Sequence, residues 1–158
     1  MSFTSYIIVH PDDYAIGNSG IIENPSVFKE KLQKKVKSLI SKNVNIYVMN
    51  LVENKLDPPE FLMNFKNQIQ IIPLLSKDSV SSQVFRLKKK LFIQKYIKKI
   101  IITGGWKDAC LKFTINHLIK PSVKISDIAQ ATSPIEVFIT FEKEKKNCIL
   151  EIDHEFIF

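Results

Sequence analysis

Ile100-Ile101-Ile102-Thr103-Gly104-Gly105-Trp106-Lys107-Asp108-Ala109-Cys110 is the stretch on which the reading of the fold turns. Its first residues offer no side fit for water, so Ile100 to Thr103 reads as a strand buried on both faces. Gly104-Gly105 is a tight turn, and Trp106 to Ile119 reads as a helix. A dry strand that enters a helix through a short turn is a unit of a parallel sheet covered by helices.

The same unit recurs on the N-terminal side. Ser5 to His10 (Ser-Tyr-Ile-Ile-Val-His) is a second continuous apolar run. Turn chemistry follows, Pro11-Asp12-Asp13-Tyr14 onward, until Asn24 can cap a helix with Pro25 at its first position. Phe28, Leu32, Val36, Leu39 and Ile40 then recur at helical spacing to about Lys42, with Lys29, Lys31, Lys34, Lys35 and Lys37 largely on the other side. Val44 to Val52 and Gln68 to Leu75 read as further strands, separated by a short helix after Asp57-Pro58-Pro59. Ser82 to Ile97 reads as a helix whose buried side is Val84, Phe85, Leu87, Leu91, Phe92 and Tyr96.

Beyond Ile119, Pro121 separates the helix from an expected fifth strand, Val123 to Ile128. Ile135 to Glu142 and Cys148 to Ile157 are strand-like around a charged turn, Lys143 to Asn147, and so predict an antiparallel hairpin at the sheet edge. Charges such as Glu142, Lys143, Glu144 and Lys145 protect such an edge, and the alternative is contact with another subunit. The expected architecture is a single α/β domain over 1–158, a three-layer α/β/α sandwich with a mainly parallel sheet and right-handed crossovers.

Composition narrows the function classes. With 158 residues, 45% of them apolar, the chain can bury a core without staples, and Cys110 and Cys148 are expected as free thiols of a cytoplasmic protein. No apolar run reaches the ~20 residues a membrane-spanning helix needs, and the start, Met1 to Tyr6, lacks a secretory pattern. The net charge of +7 is almost wholly lysine, with Arg86 the one arginine. Lysine is a point charge where base readout favours the planar fork of arginine, so no specific nucleic-acid partner is expected, only weak, salt-sensitive binding.

In an open parallel sheet, ligands bind outside the carboxyl ends of the strands. The residues there are His10-Pro11-Asp12-Asp13, Asn50 to Asn54, Ser76-Lys77-Asp78 and Gly104 to Cys110. Cys110 falls in the first turns of its helix, where free amides and the macrodipole favour a thiolate, and an ammonium nearby would favour it further. It equally suits a small apolar core residue. Asp12 and Asp13 suit a Pro-Asp-Asp turn that uses its carboxylates on its own backbone, and Lys77 suits a solvated face. Trp106 can wall a pocket for a flat substrate or fill a core.

The segment Ile100 to Thr114 resembles that of isochorismatase-like cysteine hydrolases: an apolar strand, Gly, five residues, Cys, an aliphatic residue, and Thr three further on. Ser126-Asp127-Ile128-Ala129 is similar to the Asp-Ala segment that follows the family's next strand. The resemblance implies a small-molecule amide or related C–N bond as substrate, with Cys110 as nucleophile forming a thioester. Lys77, thirty-three residues earlier, would be the lysine. The family's acid directly follows the first strand; His10 stands there, and Asp12 two residues on would fill the role. Gly105 and Trp106 would line the substrate, no metal or other cofactor is called for, and association into homo-oligomers is implied. The alternative is a non-catalytic relative serving ligand binding or assembly.

Overall fold

The computed structural model describes residues 3–158. Six strands form one sheet: β1 (Thr4–Val9), β2 (Asn45–Glu53), β3 (Ile69–Leu74), β4 (Lys99–Gly104), β5 (Ile135–Phe141) and β6 (Glu144–Ile152). Their order across the sheet is β3-β2-β1-β4-β6-β5, parallel throughout except for the β5–β6 pair. Ile100 to Thr103 thus has a parallel neighbour on each side, β1 and β6, and the C-terminal hairpin lies at the edge as expected. The class is α/β, with helices on both faces of a mainly parallel sheet.

Four helices cover it: α1 (Asp13–Gly17), α2 (Pro25–Ser41), α3 (Val80–Ile93) and α4 (Lys112–Ile119), α4 being entered through a wide π-type turn, Lys107–Leu111. α2 begins where the sequence marks it. The Asn24 side chain accepts the Val27 N–H at 3.2 Å and Pro25 takes the first position. Leu32, Val36 and Leu39 of α2 pack with Tyr6, Ile8, Ile46 and Val48 on one face of the sheet. On the other face, Leu87 and Leu91 of α3 and Ile115 and Leu118 of α4 pack with Ile7, Val9, Ile100 and Ile102. Alternate residues of each strand serve the two layers, and each fully buried Leu or Ile contributes roughly 1.5–3 kcal/mol.

Three elements differ from the sequence reading. Residues 123–128 are not a strand, although Ile125 and Ile128 are buried. Both backbone groups of Ile125 are taken by the Asn116 side chain, at 2.7 and 2.8 Å, and β6 occupies the place beside β4. The second hairpin strand begins at Glu144 rather than Cys148 and ends at Ile152, with a two-residue turn at Glu142-Lys143. Phe85 and Tyr96, expected on the buried side of the third helix, are 57% and 51% exposed. Gln83 takes the buried position instead, on the same stripe as Leu87 and Leu91.

β4 approaches β1 so closely at its end that only glycine fits. Gly104 has φ +107°, and a Cβ there would lie 2.2 Å from the Val9 carbonyl oxygen. Gly104→Ala should therefore destabilise the fold by roughly 3 kcal/mol or more. The check is the urea midpoint against Gly17→Ala, where nothing lies within 4 Å and a change within about 0.5 kcal/mol is expected.

Candidate functional site

At the carboxyl ends of β1 and β2 the structure builds a buried polar cluster. His10 leaves β1 with φ 52°, donates its backbone N–H to the Met49 carbonyl at 2.8 Å and is wholly buried. Its Nε2 lies 3.0 Å from Gln83 Oε1. The Gln83 amide nitrogen donates to the Asn50 and Ile72 carbonyls, at 2.8 and 2.7 Å. That fixes Gln83 Oε1 as acceptor, so His10 Nε2 carries the proton and Nδ1 is a bare lone pair. Nδ1 finds no hydrogen-bond partner, nor does Asn50 Oδ1. The Asn50 amide nitrogen in turn donates to the Lys55 and Asp57 carbonyls and shapes the loop after β2.

The five residues singled out in the sequence are placed differently from one another. Asp12 is 2% exposed, and its two oxygens accept the Leu51 and Val52 N–H groups at 2.7 and 3.2 Å. Its carboxylate therefore clamps the turn after β1 to the end of β2. Lys77 is exposed beyond β3, at φ 66°. Ser76 beside it is held by the Asn54 side chain, which accepts the Ser76 N–H and donates to its hydroxyl, so the loop rests against the end of β2. In the order β3-β2-β1-β4, three strand spacings separate Lys77's strand from that of Cys110, about 14 Å at sheet level.

Cys110 lies in the turn before α4, half-buried against the α3–α4 core layer. Burial pushes its thiol above the ordinary value, only partly opposed by its own backbone amide. That direction is the reverse of the expected activation. Burial holds the Cys148 thiol higher still, at about 11. Gly105 and Trp106 are covered from the α2 side. Phe158 donates its N–H to the Gly104 carbonyl and accepts the Lys107 N–H, and a Cβ on Gly105 would lie 2.5 Å from its ring. Trp106 packs with Ala15, Ile16 and Phe158, edge-on to Tyr14.

Four surface cavities of about 330–580 Å³ lie elsewhere, and none of the four is walled by Asp12, Lys77 or Cys110. No group of three or more His, Cys, Asp and Glu gathers among the described residues as a metal would require, and no helix there is long and apolar enough to cross a membrane. Comparison of the chain with protein-family models, curated proteins and solved structures gave no match.

Sequence reasoning missed Gln83, the residue that organises the cluster. Its signal was present: a glutamine on the Leu87–Leu91 stripe of an amphipathic helix must find partners inside.

The cluster makes stability depend on pH. Burial holds the His10 pKa below the ordinary ~6.5, outweighing the upward pull of Gln83 and Asp12. The folded protein keeps His10 neutral where the unfolded chain takes up a proton. The contribution is complete above pH ~6.5 and is lost as pH falls below it, at up to about 1.4 kcal/mol per pH unit. Urea titrations between pH 7.5 and 5.5 should give that slope in the wild type and a flatter one in His10→Asn.

Proposed function

We propose that the protein is a non-catalytic α/β module that works by association, binding a second copy of itself through the open half of one sheet face. The observation that supports this is the uncovered surface of β6 and β5 on the α2 side. α2 and the 3-10 turn Glu60–Phe65 pack over β1, β2 and β3. Over the hairpin the same face carries Glu136, Lys145, Asn147 and Ile149, all exposed, Ile149 at 40%, with Phe138 half-buried between them. A groove of about 580 Å³ runs there, with Lys98 and Glu136 in its walls. Apolar side chains ringed by charges of both signs suit a self-complementary two-fold contact, in which Lys98 of one copy meets Glu136 of the other.

Each sheet edge is interrupted at one residue, which favours the face. Phe138 of β5 donates its N–H to Ser122 Oγ at 2.7 Å, and the Ser122 hydroxyl donates to the Phe138 carbonyl at 2.8 Å. At the opposite edge, β3 contains Pro73, and Arg86 occupies the Pro73 carbonyl. The two free thiols suit a reducing cytoplasm.

Hydrolysis of a C–N bond through Cys110 keeps one point of support, the free and only half-buried Cys110 in the turn that follows β4. Against it stand the buried carboxylate of Asp12 turned to the β2 backbone, the distant Lys77, and the raised thiol.

Alkylation separates the two. On the association reading, iodoacetamide labels Cys110 faster than Cys148 but more slowly than an unstructured cysteine peptide at pH 7.5, and Lys77→Met changes the rate by less than about twofold. A rate above the peptide's, slowed by Lys77→Met, would restore the hydrolase.

Light scattering tests the contact itself. The wild type should be dimeric at about 100 µM and Ile149→Glu monomeric, with the two unfolding midpoints converging on dilution to where the wild type is monomeric too. A monomeric wild type sinks the proposal.

A further inference from the structure

Where α4 ends, a partly enclosed cavity of about 430 Å³ is lined by Asn116, His117, Lys120, Pro121, Val123 and Lys124. Its shape is fixed rather than adaptable, because Asn116 is bonded twice to the backbone of Ile125 across the loop. His117 is fixed as well. Its ring stacks on Phe113 at 3.7 Å, and its Nδ1 must donate to the Phe113 carbonyl, 2.9 Å away, which leaves Nε2 for other partners.

The charges around this cavity are unbalanced. Three of the six wall residues are basic and none is acidic. Lys88, half-buried on α3, adds a fourth basic group beside Lys120 where α3 packs on α4, and burial and then the Lys120 charge push its pKa below the usual lysine value. Among the described residues, six ion pairs form elsewhere, and Lys88, Lys120 and Lys124 belong to none of them. His117, Lys120 and Lys124 are exposed and Lys88 is half-buried, and a bound anion would relieve the repulsion between Lys88 and Lys120.

We propose that this cavity binds a phosphoryl group carried on a compact organic body. A phosphate monoester bears about −1.5 to −2 charge at neutral pH, which suits paired lysines better than a single carboxylate does. Its volume lies within the ~300–1,000 Å³ of small-molecule sites and exceeds what the anion alone fills, so Pro121 and Val123 pack against the organic part. Lys120 and Lys124 neutralise the anion, and His117 Nε2 donates a hydrogen bond to a phosphoryl oxygen when the ring is protonated or accepts one from the P–OH of a singly charged ester. A small monoester meets that description, and a nucleic-acid backbone, with one charge per phosphate, is the other source of a phosphoryl group that the test must separate from it. The proposal is independent of the association surface, since none of these six wall residues lies on the exposed β6–β5 face.

Calorimetric titration with inorganic phosphate, phenyl phosphate and a short oligothymidylate tests it. Phenyl phosphate should bind more tightly than inorganic phosphate, and Lys120→Met/Lys124→Met should weaken it about tenfold or more. Lys37→Met/Lys42→Met, on and just past α2, should leave it unchanged. Lys88→Met should weaken binding while raising the melting temperature in phosphate-free buffer, a split that a merely structural lysine would not produce. An oligothymidylate bound through this site should lose about two from its salt slope in the Lys120/Lys124 variant, whereas binding of phenyl phosphate alone assigns the site to a small ester. Absence of binding by all three probes at millimolar concentration overturns the proposal. So does equal weakening by the α2 variant, or oligothymidylate binding insensitive to Lys120 and Lys124.

Discussion

Tyr6 to Val9 are fully buried, so every peptide group along β1 must be satisfied by the strands on either side. β2 and β4 do this in parallel register over the length of the strand. Parallel neighbours cannot be reached by a tight turn, so each return must cross over a face of the sheet. The two layers follow from that one requirement: α2 returns the chain on one face, and α3 on the other. Gly104 is part of the same constraint, because the β4 backbone must pass Val9 at a distance that no Cβ permits. Even the polar end of Tyr6 is used, its hydroxyl donating to the Asp153 carboxylate at 2.6 Å and tying the segment after β6 to the central strand.

This explains which parts of the fold were legible in the sequence. Burial on two faces writes a continuous apolar run, and burial on one face writes a helical stripe, so β1, β2, β4 and α2 stand close to their expected bounds. What such patterns do not encode is the partner. Ile125 and Ile128 are buried as a strand's residues would be, yet a side chain, Asn116, satisfies the backbone of Ile125. The hairpin was legible as a hairpin, and its attachment through β6, parallel to β4, was not. That choice depends on which strand reaches β4, a long-range competition invisible to local spacing.

The candidate site was legible in position and not in role. The strand ends after β1, β2 and β4 do gather polar residues, as the topology of an open sheet implies. Residue type alone pointed to Asp12, Lys77 and Cys110, whose chemistry is familiar in catalysis, whereas the geometry gives Asp12 to backbone amides and Lys77 to solvent. The Asp12 carboxylate accepts a backbone N–H on each oxygen and is 2% exposed, so it is placed to clamp the end of β2 rather than to meet a substrate. The Pro-Asp-Asp turn reading describes Asp12 nearly as it stands, except that the amides it holds belong to β2 and not to its own turn.

The lysine excess is where composition misleads most, because much of it builds the fold. Lys29, Lys95, Lys98, Lys145 and Lys146 lie 4.9–5.9 Å over the rings of Phe61, Tyr96, Phe3, Phe138 and Phe92. Their ammonium groups face the ring π-systems and their stems pack on the aromatic surface. Lys146 also donates to the Phe92 and Gln94 carbonyls, supplying partners and positive charge at the end of α3. A chain with many phenylalanines and one arginine must use lysine for these tasks, so net charge says little about a partner. Among the described residues, Lys88, Lys120 and Lys124, like other lysines of the chain, have no carboxylate, carbonyl or ring as partner, and what sets them apart is that they lie near one another at the end of α4. Lys120 and Lys124 line a cavity and Lys88 lies near Lys120, and cations gathered at such a place are the kind of charge that a ligand can account for.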